Sequence, residues 1–390
     1  MKIGLIFTSF PSSSETFLLS KIHSLEQRGF NVLLFGNGEM SRYHEKIIYH
    51  PKLGGNFIIR LIQVILVLLK LLIKQPFKSF KYIKLERSDG VLLIDSIKNL
   101  FLNSHIISTN LDWVHFCFCS TVIRRENVAK AIDAKMSLSL RGYDISIYPL
   151  KNRGCYTKVW KKLYKVHSIS NDLLSTAKKY GLTSDIPAEI IHPAINVNYF
   201  SSEKYADKSF KNTLRFLTVS RLHWKKGLEY TLEALSMLKI DGYNFSYDII
   251  GDGPELERLK FARNQLNLNK NVKFIGYLKQ KNIKKFYQNS DIYLQYSIQE
   301  GFCNSLLEAQ SMSMICIGSD AEGLNENILN FETGYIVEKR NPHKLFQKIK
   351  YVLNQKNRDL NEMRKNAKQH VAKNFNLKEQ SNHFKSFFEK

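Results

Sequence analysis

Short apolar runs alternate with amphipathic stretches along the chain. The opening KIGLIFTSF reads as a strand buried on both faces, and SSSETFLLSKIHSLEQRG after it as a helix. Ser12 and Glu15 have capping-box spacing, Leu18, Ile22 and Leu25 form an apolar stripe at helical period, and Gly29 is a stop signal. FNVLLFG is the next strand. Strand, helix and strand at this spacing make a βαβ unit, whose crossover requires a parallel sheet.

The second half keeps this rhythm. TLRFLTVSRL, FSYDIIGDG, NVKFIGYL, DIYLQYS and MICIGSD are predicted strands, with GLEYTLEALSML, PELERLKFARNQL, IKKFYQNS and NSLLEAQSMS as the helices between them. That order predicts an α/β doubly wound fold. A chain of 390 residues exceeds what one core supports. Residues 196–212 are polar and aperiodic, as a linker would be. The expected architecture is two Rossmann-like domains facing each other across a cleft, residues 1–198 and 213–370. A last helix over 371–390 is expected to pack back on the first domain. Clefts at domain interfaces are where ligands bind.

One segment breaks the pattern. FIIRLIQVILVLLKLLI, residues 57–73, is almost wholly apolar, yet its length and its Arg60, Gln63 and Lys70 make a poor membrane span. On a helix, Arg60, Gln63, Lys70 and Lys74 fall within an arc of roughly 80°. A helix over 57–74 would lie on an anionic membrane surface. A buried helix with a snorkelling edge is the structural alternative.

Charge bears on that choice. The chain holds 58 Lys and Arg against 35 Asp and Glu, a formal net charge of +23, which points to an anionic partner. Residues 1–200 carry 27 of the basic residues and 14 of the acidic ones, and this surplus gathers beside the apolar helix. Nucleic acid would not require such a helix, and no recognition-helix, zinc or aromatic-strand signature is present. The five cysteines, Cys117, Cys119, Cys155, Cys303 and Cys316, fit neither a disulfide framework nor a metal pattern. Cys117-Phe118-Cys119 reads as strand filling. The N-terminus reads as a first strand rather than a signal peptide, and a reducing cytosol is the simplest home.

Candidate chemistry sits at strand ends, because ligands of parallel sheets bind beyond the carboxyl edge. Ser220 to Gly227, SRLHWKKG, follows the first strand of the second half. Arg221 and Lys226 placed there can neutralise a diphosphate, with a solvated basic loop as the alternative. Gly251 and Gly253 lack the third glycine of a dinucleotide fingerprint and read as a tight strand-to-helix turn.

EGFCNSLLE, residues 300–308, follows DIYLQYS. With 21 Glu in the chain, a pair eight apart is expected by accident, so position must give it meaning. Glu300 projects from the strand end, and Gly301 lets a ligand approach the backbone. A helix begins near Asn304 or Ser305, with free amides suited to phosphate. Glu308 can accept hydrogen bonds from two vicinal hydroxyls, as a ribose presents. Ser305 and Glu308 also have capping-box spacing, so a purely structural role competes.

Taken in order, SRLHWKKGLEYTLEAL, IIGDGPELERLK, VKFIGYL, SDIYLQYSIQEGFCNSLLEAQSM and ETGYIVEKRNPHKL resemble the retaining glycosyltransferases of family 4, which have the GT-B fold. These motifs cover most of residues 214–345. FPSSSETFLLSKI, WVHFCF and SLRGYDIS resemble, more loosely, a subgroup that builds bacterial exopolysaccharide and lipopolysaccharide. The resemblance implies that Arg221 and Lys226 hold a donor's diphosphate, Glu308 its ribose, and Glu300 the hydroxyls of the transferred sugar. The backbone from Gly301 through Phe302, Cys303, Asn304, Ser305 and Leu306 would reach sugar and phosphate, with Gly251 beside the donor. Ser14, Glu15, His115, Arg141 and Asp144 would face the acceptor. Two positions depart from the family pattern. Arg141-Gly142-Tyr143-Asp144 stands where the family usually has His-Gly-x-Asp, and an arginine cannot act as a base near neutral pH. The family's Pro-Glu pair after a glycine appears as Gly323-Leu324-Asn325-Glu326.

The expectation is a retaining glycosyltransferase moving a sugar from a nucleotide-sugar to a glycan or lipid-linked acceptor. Its setting would be cell-surface polysaccharide biosynthesis, in the cytoplasm, peripherally on the inner face of a bacterial plasma membrane. No cofactor or metal is expected, since the chain contains no Asp-x-Asp. Positive side chains and helix amides would stabilise the leaving diphosphate, and retention would follow front-side attack. A nucleotide-sugar epimerase of similar fold is the alternative that Arg141 keeps open, and a basic nucleic-acid-binding protein is the other.

Overall fold

The computed structural model describes residues 1–10, 16–38, 46–201, 210 and 213–389. The chain divides into two compact units, Met1–Ile191 with Ser381–Lys390, and His192–Gln380. The predicted cap at Ser12 and Glu15, and much of the predicted linker, lie outside the described residues.

In the first unit seven strands form one parallel sheet. They are β1 (Lys2–Ser9), β2 (Asn31–Asn37), β3 (Ile47–Tyr49), β4 (Trp113–Phe116), β5 (Lys135–Leu140), β6 (Lys165–Ser168) and β7 (Ala188–Ile190), in the order β3-β2-β1-β4-β5-β6-β7. The helix Thr16–Gln27 lays Leu18, Ile22 and Leu25 into the core beneath β1. Phe384, Phe387 and Phe388 of the helix Leu377–Glu389 complete that core, and Trp113 Nε1 donates to the Phe388 carbonyl at 3.0 Å. Strand β4 stops at Phe116, so the predicted strand position of Cys117 and Cys119 is not observed. Cys119 opens a short 3₁₀ turn instead, and both thiols are buried and unpaired, which keeps the apolar role and changes the backbone.

The helix Phe57–Lys74 is capped by Asn56, whose Oδ1 accepts the Ile59 amide at 3.0 Å. Pro76 then starts a second helix, Pro76–Ser88, and a third follows at Leu93–Ile107. Of the first helix only Leu71 is buried, so the buried-helix alternative is ruled out. Phe57, Ile73 and Phe77 are 79%, 80% and 89% exposed, and among the described residues more than half of the exposed large apolar side chains lie between Phe57 and Leu102. Among the described residues no helix is long and apolar enough to cross a membrane.

The second unit has β8 (Leu214–Val219), β9 (Phe245–Ile250), β10 (Val272–Gly276), β11 (Ile292–Gln295), β12 (Ile315–Ser319) and β13 (Tyr335–Val337). All are parallel, in the order β10-β9-β8-β11-β12-β13. Each predicted strand and helix of this half is present, because helices cover both sheet faces and the strands are therefore continuously apolar. From β8 the chain winds outward through β9 and β10, then returns to β11 on β8's other side. The winding direction reverses between β8 and β11. At such a switch point the two outgoing loops diverge and leave a crevice at the carboxyl edge.

Candidate active site

The loops that leave β8 and β11 carry the side chains singled out in the sequence. After β8, residues 220–227 run along the carboxyl edge through a 3₁₀ turn at Trp224–Lys226. Gly227, at φ +60°, then turns the chain into the helix Leu228–Ile240, and a Cβ there would meet the Tyr296 carbonyl at 2.1 Å. After β11, the Ile298 amide donates to the Lys225 carbonyl at 2.7 Å, joining the two loops. Gly251 and Gly253 pack the β9 loop against them. A Cβ on Gly251 would lie 1.9 Å from the Ser220 carbonyl, and one on Gly253 2.3 Å from that of Leu222. These glycines serve backbone approach, as the tight-turn reading predicts.

Across the switch point the Lys226 ammonium meets the Glu300 carboxylate at Oε2, and both side chains are largely buried. Burial works against the ammonium, but the carboxylate outweighs it and holds the Lys226 pKa above the ordinary lysine value. Ser297 Oγ donates to the same Glu300 oxygen at 3.2 Å. Glu300 Oε1 has no partner among the described residues. Arg221 is exposed, and its guanidinium makes no hydrogen bond or ion pair among the described residues.

The helix of EGFCNSLLE runs Asn304–Ser311, with Cys303 at its N-cap and no side chain capping it. The capping box of Ser305 and Glu308 does not form. Ser305 lies one position inside the helix, where its Oγ faces Tyr293 Oη at 2.8 Å. Glu308 is thereby released from a structural role. Its Oε2 accepts from Tyr287 Oη at 2.8 Å, and Oε1 more weakly from Gln280 Nε2 at 3.4 Å. With no cation paired to it, burial pushes the Glu308 carboxyl up to about 7. Cys303 is buried, and burial pushes its thiol up to about 11, so it is neutral and no nucleophile. Phe302 is fixed between His192 and Phe375, at ring separations of 5.2 and 5.4 Å. Gly301 and Leu306 are buried, Leu306 facing the core of the helix.

Three further residues hold this loop. Asn327 accepts the Cys303 amide at 3.0 Å and returns Nδ2 to its carbonyl at 3.3 Å. His192 Nε2 lies 2.8 Å from Glu326 Oε2. Gly323 donates its amide to the Glu300 carbonyl at 2.9 Å. Asn327 and His192 act from distant parts of the chain with no periodicity or motif to mark them, whereas Gly323 opens the Gly323-Leu324-Asn325-Glu326 stretch noted in the sequence.

In the first unit the residues expected on the acceptor side are internally engaged. Arg141 donates from Nε to the Cys117 carbonyl at 3.1 Å and stacks over Phe118. Asp144 is buried and accepts from Ser120 Oγ at 2.6 Å; burial raises its pKa. His115 does not fit an acceptor-facing place, because it has no accessible surface. Its imidazole contacts Lys21 Nζ at 2.7 Å, Ser137 Oγ at 2.8 Å and Ser139 Oγ at 3.0 Å. Strand β4 is covered on both faces, which takes its histidine into the core. Ser14 and Glu15 lie outside the described residues.

Residues 201–370 match the family described as Glycosyl transferases group 1. The chain is a glycosyltransferase. It is 26% identical to the amylovoran biosynthesis glycosyltransferase AmsK of Erwinia amylovora over 362 residues, 86% of either chain. It is 23% identical to WcaL of Escherichia coli K12, named for colanic acid biosynthesis, over 399 residues and 96% of either chain. Its fold matches that of HepE from Anabaena, solved in complex with UDP, at a TM-score of 0.74 and 12% identity, covering 100% of this chain and 99% of the other. The group 1 match takes in both loops of the switch point.

Gly323 provides a test of how tightly the glycosyltransferase holds its Glu300 loop. A Cβ there would lie 2.1 Å from the Gly301 carbonyl, although the backbone itself, at φ −74°, tolerates any residue. Gly323→Ala is expected to cost about 1–3 kcal/mol by displacing that loop. Thermal unfolding should show a lowered midpoint with an intact cooperative transition, while transferase activity falls.

Proposed function

We propose that this enzyme is a retaining glycosyltransferase of family 4. It moves a sugar from a nucleotide-sugar onto a glycan or lipid-linked acceptor in bacterial cell-surface polysaccharide biosynthesis. The observation carrying the donor reading is the convergence at the switch point of an unpartnered arginine, a carboxylate–lysine pair and an uncapped helix start. A diphosphate needs positive and N–H donors there, and a sugar and a ribose need acceptors. Arg221 and Lys226 supply the cations, the amides at Asn304–Leu306 the donors, and Glu300 Oε1 and Glu308 the acceptors. The polysaccharide setting follows the names of AmsK and WcaL, and the donor class follows the UDP of HepE.

In this reading charge develops on the leaving diphosphate, and Arg221, Lys226 and the helix amides stabilise it without a divalent ion. Glu300 serves in this reading as a hydrogen-bond acceptor for the sugar hydroxyls through Oε1, with Lys226 and Ser297 holding Oε2. Retention then comes from attack on the same face as departure, with a phosphate oxygen taking the acceptor's proton. Binding of UDP-glucose and GDP-mannose, measured with EDTA throughout, tests the donor site. Arg221→Ala is expected to weaken binding of the preferred nucleotide at least about tenfold, the scale of one lost charge-assisted contact. Unchanged affinity would remove Arg221 from the donor site.

Glu308 adds a pH dependence of stated sign. Its folded pKa is raised, so it carries a proton below about 7 and is a carboxylate above. Ribose hydroxyls donate to the carboxylate, so affinity should rise with pH and level off above pH 7. Between pH 6 and pH 8 the change is about tenfold, one proton released on binding. The diphosphate of UDP-glucose does not titrate in that range. The slope therefore belongs to the protein, and Glu308→Gln should flatten it.

The enzyme works at the inner face of the membrane, held there by its three exposed helices. Burying Phe57, Ile73, Phe77 and Phe80 in lipid removes apolar surface that water otherwise covers. On the helices Phe57–Lys74 and Pro76–Ser88, Arg60, Lys78 and Arg87 are bound to backbone carbonyls and Lys81 to Asp133, so Lys70, Lys74 and Lys84 are the cations without a partner among the described residues. Replacing these three with Glu should release the enzyme from vesicles containing phosphatidylglycerol, at about 1 kcal/mol per lysine removed. Phe77→Ser with Phe80→Ser should release it even at low salt. Flotation unchanged in both variants would refute membrane attachment.

A further inference from the structure

Strand β11 is two-faced in an unusual way. Ile292, Leu294 and Tyr296 point into the hydrophobic core, as a central strand's residues should. The alternate positions Tyr293, Gln295 and Ser297 are polar and just as buried, at 0%, 1% and 0% exposure. Buried polar side chains on a central strand are costly unless every group is hydrogen-bonded. Here the bonds form a line. Tyr293 Oη donates to Gln295 Oε1 at 3.0 Å, Gln295 Nε2 donates to Ser297 Oγ at 2.8 Å, and Ser297 Oγ donates to Glu300 Oε2 at 3.2 Å.

The direction of this line matters more than its length. A serine hydroxyl has one hydrogen. If Gln295 presented its carbonyl to Ser297, that hydrogen would be taken by the amide and Glu300 would lose a donor. Tyr293 Oη has one hydrogen and three acceptors within reach, Gln295 Oε1 at 3.0 Å, the Val219 carbonyl at 3.2 Å and Ser305 Oγ at 2.8 Å; when it goes to Gln295, that carbonyl is taken and only N–H faces Ser297. Each donor then points along the strand toward the carboxylate, and bonds aligned this way polarise one another. Ser297 and Lys226 both act on Oε2 of Glu300, which turns Oε1 outward.

We propose that Gln295 is a positioning residue for the transfer reaction, orienting the Ser297 hydroxyl so that Glu300 presents Oε1 to the transferred sugar. The proposal rests on the donor-site reading above, in which Glu300 meets the sugar and Glu308 the ribose. Neither Gln295 nor Ser297 touches the donor. Disturbing them should therefore leave nucleotide affinity alone and alter the step in which the sugar leaves.

The test is acceptor-independent hydrolysis of a panel of nucleotide-sugars, UDP-glucose, UDP-galactose and GDP-mannose, with binding of UDP and GDP measured alongside. Gln295→Leu, close in volume and without hydrogen bonds, is expected to lower kcat about tenfold or more, the scale of a misplaced reacting group. Nucleoside diphosphate affinity should stay within about threefold of the wild type by the same reasoning. Ser297→Ala should behave likewise, and Ser297→Thr, which keeps a hydroxyl, should recover most of the loss. Because Gln295 acts through Ser297, the double variant should be no slower than Ser297→Ala alone. Additive losses, or loss of nucleotide affinity in step with kcat, would overturn the proposal. Should Gln295→Leu fail to fold, Ser297→Ala against Ser297→Thr carries the same comparison. A wild type that binds no nucleotide and hydrolyses none of the panel would remove the donor-site reading and this proposal together. Turnover by the wild type with Gln295→Leu unimpaired would remove this proposal alone.

Discussion

An ammonium and a carboxylate, Lys226 and Glu300, meet where two neighbouring parallel strands end, and both are mostly withdrawn from water. Removing two charges from water is expensive, and their attraction repays the cost only when the remaining bonds are also made. Much of the surrounding structure supplies those bonds. Ser297 donates to the carboxylate, the Lys225 carbonyl takes the Ile298 amide, and Gly227 brings the β8 loop against Tyr296 without a side chain between them. Asn327 and Gly323 fasten the far side of the Glu300 loop. A buried ion pair is weak evidence for stability. A pair at a switch point, with Glu300 Oε1 and the neighbouring Arg221 unpartnered among the described residues, suits the donor site proposed above.

The strands of the second unit were legible because parallel strands covered on both faces must be continuous apolar runs. The positions of Arg221, Lys226, Glu300 and Glu308 followed, since a strand end locates whatever comes next. What could not be read was the choice between two uses of one residue. Ser305 and Glu308 have the spacing of a cap, and only Tyr293 and Tyr287, packed from other elements, show that neither is used as one. His115 failed for the opposite reason. A motif around it suggested a surface role, while the coverage of β4 by the last helix of the chain, contributing Phe387 and Phe388, put it in the core. Asn327 and His192 act across long stretches of sequence, where local pattern says nothing.

The first unit has a different imbalance. Its core under β1 is closed by aromatic side chains from the end of the chain, so the unit does not lack apolar material for its own interior. The three helices between Phe57 and Ile107 nevertheless leave a broad apolar surface facing water. Each exposed side chain forgoes about 1.5–3 kcal/mol that burial would give. A soluble protein with no partner for this face would be expected to aggregate. Basic residues along the same helices favour an anionic bilayer over a neutral protein partner. Among the described residues no helix is long and apolar enough to cross a membrane, which is consistent with the interfacial placement proposed above.

The two glutamates of EGFCNSLLE show how one short segment can place two carboxyl groups in different surroundings. Glu300 sits beside a cation and receives a directed hydroxyl. Glu308, one helix turn on, has burial without a counter-charge and hydrogen bonds from neutral groups only, so its proton is held to about pH 7. Tyr287 makes the second state tenable. Its single hydrogen reaches either the Glu308 carboxylate or the Ser305 carbonyl, at 2.8 and 3.2 Å. When Glu308 carries a proton, that proton can bond to the phenol oxygen while the phenol turns to Ser305. Either protonation state is satisfied inside the protein, and in the proposed donor site a ribose diol, which donates twice, would select the ionised one. In the donor site proposed above, the segment would hold one acceptor fixed for the sugar and a second that the ligand itself completes.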